Sequence, residues 1–180
     1  EKPYHILFSG NMGYAPNVDS ACYLVREVMP LVWREFPAAR VLLAGASPDG
    51  RVKRLADEKV EVTGWIPDIR EAYNSCRVFV APMRLGSGLQ NKLLEAMAMK
   101  LPCVTTTLAN SALKANPNVE IMIGDDPETI AYAIIKLMND NKEAEKIANN
   151  GYGMGRKRLN WETIINDFTI NLEKLATSCE

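Results

Sequence analysis

The sequence is poor in the residues that most often bind metals or form disulfide frameworks. It has one histidine and four cysteines, and the cysteines lie far apart with no C-x-x-C pair. The histidine, His5, precedes an apolar run and is expected at the edge of a strand. We therefore expect reduced thiols and no metal site, as is usual for a cytoplasmic protein.

Long hydrophobic runs and an excess of either charge are also missing. No apolar stretch approaches the roughly 20 residues that span a bilayer, and the first residues do not resemble a signal peptide. The 21 Lys and Arg nearly balance the 22 Asp and Glu, giving a formal net charge of −1. A nucleic-acid partner is not expected, and any anion site must be local.

The composition, 47% hydrophobic and 24% charged, is that of a globular domain. Short β-rich apolar runs alternate with segments of helical period, which predicts an α/β fold with a Rossmann-like parallel sheet of about six strands flanked by helices. The predicted strands are Ile6–Ser9, Arg40–Ala44, Val60–Thr63, Val78–Ala81, Cys103–Thr105 and Ile121–Ile123. The predicted helices are Val18–Glu35, Gly50–Glu58, Ile69–Ser75, Leu89–Met99, Pro127–Asn139, Lys142–Lys157 and Trp161–Ala176, so that the C-terminal segment is helical. No linker divides residues 1–180, which we treat as a single domain.

The first helix carries a recognisable start and a buried face. Pro16 and Asn17 precede it, and Asn17 is predicted to be its N-cap, with Asp19 in the first turn complementing the helix dipole. Its predicted inner stripe is Ala21, Leu24, Val28 and Val32.

Ligands of open α/β sheets bind beyond the carboxyl ends of the strands, so the loops there are the first candidates. In residues 81–98, APMRLGSGLQNKLLEAMA, a strand ends, a glycine-containing loop follows and a helix begins. Gly86 and Gly88 allow close approach of the backbone to a ligand, and the first helical turn favours a phosphate. Lys92 adds a positive charge there, and Glu95 can accept hydrogen bonds from ribose hydroxyls.

A purely structural interpretation of this segment stays open. Ser87 and Gln90 fit an S-x-x-Q capping box, and Lys92 and Glu95 fit an exposed i,i+3 pair. The nucleotide motifs G-x-G-x-x-G and G-x-x-x-x-G-K-[ST] are both incomplete here, which disfavours a dinucleotide-binding or P-loop protein.

Two further loops follow predicted strands. Residues 8–17 contain Gly10 and Gly13, which suit a tight turn facing a ligand, although a plain connection is an equal alternative. Residues 64–68 place Trp65 and Ile66 where they could form an apolar wall for a base, although a tryptophan is more often a packing residue.

Four ordered motifs resemble those of the bacterial glycosyltransferases of family four. The donor-site motif of that family is similar to residues 78–105, and residues 8–17, 41–45 and 62–68 match in the right order. The resemblance covers nearly the whole chain and is closest to sugar transferases of exopolysaccharide systems.

This resemblance implies a GT-B enzyme, in which two Rossmann-like domains face a cleft and the C-terminal one holds a nucleotide-diphospho-sugar. The chain resembles that domain alone, and its partner would be the N-terminal acceptor domain, which is absent from this chain. Peripheral membrane association would occur only through that half. The implied reaction moves a hexose or related sugar to a saccharide or lipid-linked acceptor with retention, without cofactor or metal, and the isolated domain is expected to be inactive.

The resemblance also implies where the donor binds. Glu95 would contact the ribose, while Lys92 and the Gly86–Gly88 loop would hold the diphosphate. Residues 10–11 would line the cleft opposite the phosphates, and residues 65–66 would lie beside the base. The full set of implied nucleotide-sugar-binding residues is Gly10, Asn11, Trp65, Ile66, Arg84, Gly86, Ser87, Gly88, Leu89, Gln90, Asn91, Lys92 and Glu95.

The sequence departs from the family at two places. Ser87 stands where many members have a glutamate that touches the donor sugar. The first loop offers Asn11 and Asn17 where members often have Arg and Lys, which leaves Lys92 and Arg84 as the nearby cations. No Asp-x-Asp motif is present to hold a metal-bound diphosphate.

No residue is a convincing general base, so catalytic residues stay unknown. Two other functions remain alternatives: a nucleotide-sugar epimerase-like enzyme, and a non-catalytic interaction module on the same fold. The epimerase would need acid and base groups that the sequence does not reveal.

Overall fold

A computed structural model describes residues 2–86 and 88–158 of the chain, together with positions 165 and 169. Its centre is a six-stranded sheet in the order β3-β2-β1-β4-β5-β6, with every neighbouring pair parallel. The strands are β1 Ile6–Ser9, β2 Val41–Ala44, β3 Val60–Gly64, β4 Val78–Ala81, β5 Cys103–Thr105 and β6 Met122–Ile123. The predicted Rossmann-like α/β fold is confirmed.

The strands are short apolar runs because helices cover both faces of the sheet. Every residue of β1, β2, β4 and β5 is buried, so these strands lack the alternation of a sheet with one wet face. The predicted inner stripe of the first helix is buried as well, at Ala21, Leu24, Val28 and Val32.

Eight α-helices connect and flank the strands. They are α1 Ala15–Tyr23, α2 Met29–Glu35, α3 Gly50–Lys53, α4 Ile69–Ser75, α5 Asn91–Ala98, α6 Thr107–Leu113, α7 Pro127–Asn139 and α8 Asn141–Arg158 among the described residues. The predicted helix Trp161–Ala176 and the site residue Ser87 lie outside the described residues.

The first predicted helix is interrupted by a π-helical turn. Leu24–Val28 adopt this wider geometry between α1 and α2, and the amide of Met29 bonds to the carbonyl of Leu24, five residues back. Pro30 lacks an amide hydrogen and its ring crowds the carbonyl four residues earlier, so a regular turn cannot form there. The chain therefore forms a π-helical turn there and continues as α2.

Several helix predictions were wrong. Asn17 is not an N-cap, because α1 begins at Ala15 after Tyr14 and carries Asn17 inside its first turn as a buried residue. The helix after β2 ends at Lys53 and not at Glu58. Helix α6 was missed altogether.

The helices differ in how their first turns are satisfied. In α3, α4, α6 and α7 the N-cap side chain accepts a hydrogen bond from a backbone amide of the first turn; these N-cap residues are Asp49, Asp68, Thr106 and Asp126 respectively. Within the described part of the chain, α1 and α5 have no such side-chain cap. Gln90 is the N-cap residue of α5 and not its third residue, so the predicted capping box does not form.

Candidate functional site

The sheet order reverses between β1 and β4, and a crevice opens beyond the carboxyl ends of these strands. A cavity of about 510 Å³ lies in it. Its lining comprises Ser9, Gly10, Asn11, Tyr14, Asn17, Ala44, Gly45, Ala46, Trp65, Ile66, Ile69, Leu89, Gln90, Asn91, Lys92 and Glu95. Nine of the residues predicted from the sequence therefore share one cavity: Gly10, Asn11, Trp65, Ile66, Leu89, Gln90, Asn91, Lys92 and Glu95.

Close contact between loop backbones forms the floor of this cavity. The amide of Gly10 donates to Ala44 over 3.0 Å, and the amide of Gly45 donates to Gly64 over 3.1 Å. Gly45 has a φ of 145°, and a Cβ there would lie 1.8 Å from the carbonyl oxygen of Gly10. Only glycine permits this approach, since any side chain would push the first two loops apart.

Lys92 supplies the positive charge of the cavity. Its ammonium donates to Asn17 Oδ1, and lies 3.7 Å from Met83 Sδ and 5.0 Å from the centre of the Phe8 ring. Burial lowers its pKa to about 8, although the charge of Glu95 acts in the opposite direction. Among the described residues it has no carboxylate within ion-pair distance. The amine is therefore positioned to receive an anion, and it is not half of an exposed i,i+3 pair.

Asn17 links Lys92 to the first loop. Its amide nitrogen donates to the carbonyl of Asn11 over 2.9 Å while its oxygen accepts from Lys92. Asn17 is buried, so this arrangement fixes both the loop and the ammonium. The sequence does not reveal this role, because no local pattern joins residues 75 positions apart.

A chain of hydrogen bonds through the buried side chains of Ser9 and Tyr73 holds the Glu95 carboxylate. The hydroxyl of Tyr73 lies 2.8 Å from Glu95 Oε2 and 2.8 Å from Ser9 Oγ. Burial raises the pKa of Tyr73, so its phenol keeps its proton. The carboxyl side chain of Glu95 is exposed, and Tyr73 and Ser9 are both buried. Neither of these two was predicted.

Arg84 lies outside the lining of this cavity. It makes two hydrogen bonds to Asp19, of 2.8 and 3.1 Å, lies 3.8 Å from Glu27 and stacks 4.1 Å from the centre of the Tyr23 ring. The hydrogen bonds that Arg84 donates to Asp19 raise the pKa of its guanidinium. In this structure Arg84 ties the loop after β4 to the first helix, and its contact with phosphate stays a prediction.

The glycines of the same loop also lie away from the cavity lining. Gly86 and Gly88 both have a φ of 93°, which only glycine adopts easily. A Cβ on Gly86 would lie 3.8 Å from Pro16, so the loop rests on the start of α1. Their role in holding a diphosphate stays a prediction.

Exposed apolar side chains surround the opening. Trp65 is 71% exposed, Tyr14 58% and Leu89 42%. Large apolar side chains rarely cluster on a surface without a ligand or partner. The rim is therefore suited to the flat face of a ring or to another protein surface.

A larger cavity, of about 950 Å³, lies at the other edge of the sheet. Residues preceding β1, β4 and β5 line it, among them His5, Arg77 and Pro102. It contains none of the predicted site residues and faces away from the strand ends where ligands of this architecture bind. We therefore place the candidate site in the smaller cavity.

The described residues contain no cluster of three or more His, Cys, Asp or Glu side chains arranged to hold a metal ion. No helix in them has the length and apolar character needed to cross a bilayer.

The strand order defines a doubly wound α/β domain, and a crevice lined by one cation, Lys92, and one carboxylate, Glu95, lies at the point where that order reverses. Residues 3–140 match the family model described as glycosyl transferases group 1. The chain belongs to that family, which confirms the family predicted from the motifs.

A protein of the cps region of Klebsiella pneumoniae, described as an uncharacterized 44.6 kDa protein, is 23% identical over 157 residues. The match covers 82% of this chain and 40% of that relative. The chain therefore spans less than half of the curated relative it matches.

Solved structures share the fold at low sequence identity. Anabaena HepE in complex with UDP and glucose aligns with a TM-score of 0.73 and 15% identity, covering 94% of this chain and 48% of that one. The C-terminal domain of LpcC from Francisella tularensis, a glycosyl transferase group 1 family protein, aligns with a TM-score of 0.68 and 20% identity over 88% and 87% of the two chains. At these low identities, the TM-scores show that the fold is shared.

Proposed function

We propose that this chain is the donor-binding domain of a glycosyltransferase that moves a sugar from a nucleotide-diphospho-sugar to a saccharide or lipid-linked acceptor. The observation that carries the proposal is the pair formed by Lys92 and Glu95 on α5. One is a half-buried cation without a carboxylate partner among the described residues, and the other is a carboxylate fixed by Tyr73.

The two groups match the two polar parts of such a donor. The diphosphate would lie against Lys92 and the uncapped first turn of α5, whose amides carry partial positive charge. The ribose would donate hydrogen bonds to Glu95, and the base would lie beside residues 65–66. The solved relative HepE, which contains UDP and glucose, supports this class of ligand.

The chemistry assigned to these groups is stabilisation of a leaving group. When the sugar departs, negative charge accumulates on the nucleoside diphosphate, and fixed donors aimed at that charge lower the barrier. We propose that Lys92 and the start of α5 do this without a metal, and that transfer proceeds with retention.

Acceptor binding is assigned to a second domain outside these 180 residues. The relative from a cps region supports a role in polysaccharide assembly. We expect this work to take place in the cytoplasm, with any membrane association made through the second domain.

Calorimetric titration of two ligands into two variants tests the assignment. Lys92→Ala removes a charge-assisted contact, so it should weaken both UDP and inorganic pyrophosphate by about tenfold to hundredfold. Glu95→Gln should weaken UDP and spare pyrophosphate, which has no ribose. Lys100→Ala is the matched control, because this lysine follows the same helix but lines the cavity at the other edge of the sheet.

Other outcomes separate the alternatives. Unchanged UDP affinity in both site variants would remove the donor-site assignment. If UDP, GDP and ADP all fail to bind, the chain is an interaction module. Conversion of a nucleotide-sugar without any acceptor would indicate an epimerase-like enzyme.

A further inference from the structure

Tyr73 lies directly beneath the candidate site without lining it. It comes from α4, is 1% exposed, and reaches towards the helix that carries the site. Its hydroxyl lies 2.8 Å from Ser9 Oγ at the end of β1 and 2.8 Å from Glu95 Oε2 on α5. One oxygen atom thus joins three separate elements of the fold.

The direction of these hydrogen bonds follows from their chemistry. An ionised carboxylate can only accept, so the Tyr73 hydroxyl donates its single proton to Glu95. The Ser9 hydroxyl must then donate to Tyr73. The chain Ser9 to Tyr73 to Glu95 is therefore one-directional and ends on the carboxylate that faces the cavity.

This chain holds an exposed side chain in place. A glutamate on a helix surface normally samples several rotamers, and binding a ligand would have to freeze them. Tyr73 donates to Oε2 of Glu95, and Oε1 of the same carboxylate can accept a hydrogen bond from a ligand. The carboxylate is thereby set in one orientation before any ligand arrives.

We propose that Tyr73 is a positioning residue that orients Glu95 towards the ribose hydroxyls of the donor, and so sets the preference of the site for ribonucleotides over nucleotides that lack those hydroxyls. The inference rests on the proposed function, because it takes the donor to be a nucleoside diphosphate. It assigns a role to a buried tyrosine that would otherwise be taken for a core residue.

Tyr73→Phe tests this, because it removes the hydroxyl and leaves the ring that packs in the core. The dissociation constants of UDP, 2′,3′-dideoxy-UDP and pyrophosphate are measured by calorimetry. The variant should bind UDP about threefold to tenfold more weakly, because binding must then freeze the rotamers of a Glu95 side chain that Tyr73 no longer holds. Dideoxy-UDP and pyrophosphate should change by less than about twofold, so the ratio of the UDP and dideoxy-UDP affinities falls.

Tyr132→Phe is the matched control, since that tyrosine is exposed on α7 and should change neither the ratio nor the stability. Adding Tyr73→Phe to Glu95→Ala should have no further effect on UDP affinity, because the group that Tyr73 orients has been removed. If the Phe variant does not fold, Ser9→Ala is used. It removes the donor that fixes the phenol and should lower the same ratio.

The outcomes separate this inference from the proposed function. A purely structural tyrosine would lower the melting temperature and leave the ratio unchanged, and that result would overturn the inference. If Glu95→Gln weakens UDP but Tyr73→Phe does not, the donor site stands and the positioning role is wrong. If no variant changes UDP affinity, the donor-site assignment itself is wrong.

Discussion

At the scale of single residues, the candidate site has very little charge for one that is to hold a diphosphate. Among the described residues lining the cavity, Lys92 and Glu95 are the charged ones. The loop positions at which resembling proteins carry Arg and Lys are Asn11 and Asn17 here. Affinity for a diphosphate must therefore depend heavily on the single ammonium group of Lys92, whose charge depends on pH.

Nucleotide affinity should consequently depend on pH. Burial lowers the pKa of Lys92 from 10.5 to about 8, and a bound diphosphate favours the charged form and raises it again. Above about pH 8 the free protein must take up a proton in order to bind, so UDP affinity should fall by up to about tenfold per pH unit. Lys92→Arg keeps its charge and should give a flatter profile between about pH 7.5 and 9.

Stability should respond in the opposite sense. Between about pH 8 and 10.5 the unfolded chain holds the Lys92 proton more tightly than the folded one. The contribution of this residue to the free energy of unfolding therefore rises with pH across that window. Both pH predictions depend on the lowered pKa of Lys92. If the pH profiles of UDP affinity are parallel in the wild type and in Lys92→Arg, that lowered pKa is contradicted.

Arg84 offers a second residue-scale prediction. Its exposed ion pair with Asp19 should contribute at most about 1 kcal/mol to the free energy of unfolding. Arg84→Ala should thus cost little stability and change pyrophosphate affinity by less than about twofold, because the side chain points to the first helix and not into the cavity. Urea unfolding and calorimetry measure the two effects. A tenfold loss of pyrophosphate affinity would restore the phosphate contact predicted from the sequence.

The site residues that the sequence could reveal are those with a local pattern. Lys92 and Glu95 follow a glycine loop one turn apart on one helix, which is visible in a single window. Tyr73 and Asn17 act through contacts across 22 and 75 positions of the chain. The sequence placed Tyr73 only within a predicted helix and Asn17 at a helix cap, so their roles had to come from the fold.

At the scale of elements, the strands were predicted to within one residue at each end, because buried parallel strands are short β-rich apolar runs with clear breaks. Helix α6 was missed because Thr107–Leu113 contains small and polar residues without a helical stripe, and its cap, Thr106, lies next to a strand end. The π-helical turn also escaped notice, since Pro30 alone does not specify how the preceding turn adapts.

Alanine substitutions at two glycines should change the stability of the protein in opposite directions. Gly45→Ala should destabilise the protein by well over about 1 kcal/mol, because φ is 145° and the new Cβ would collide with the Gly10 carbonyl. Gly153 lies inside α8 with open space around it, so Gly153→Ala should stabilise by roughly 0.5–1 kcal/mol. Urea unfolding of both variants is the measurement. Equal effects would mean that the contact between the first two loops does not constrain the fold.

At the scale of the whole molecule, every group assigned to the donor lies on one side of an open crevice. Among the described residues, the rim of the crevice exposes Tyr14, Trp65 and Leu89. Sugar transfer also needs a wall that excludes water and a surface that holds the acceptor. Both are expected from a second domain that closes over these side chains.

This arrangement predicts that the 180-residue chain binds its donor nucleotide but transfers no sugar. Binding is read from the melting temperature, since a ligand at a hundred times its dissociation constant adds about 2.7 kcal/mol to the stability of the folded state. Transfer is assayed with a panel of nucleotide-sugars and saccharide or lipid-linked acceptors.

A protein in which this domain is joined to the proposed acceptor domain is the positive control and should transfer with one of those donors. The Lys92 and Glu95 variants are expected to weaken binding in the isolated domain, and they should reduce transfer in that longer protein in the same order. Robust transfer by the chain alone would show that the acceptor surface lies within these residues, and the exposed rim would then be part of a complete active site.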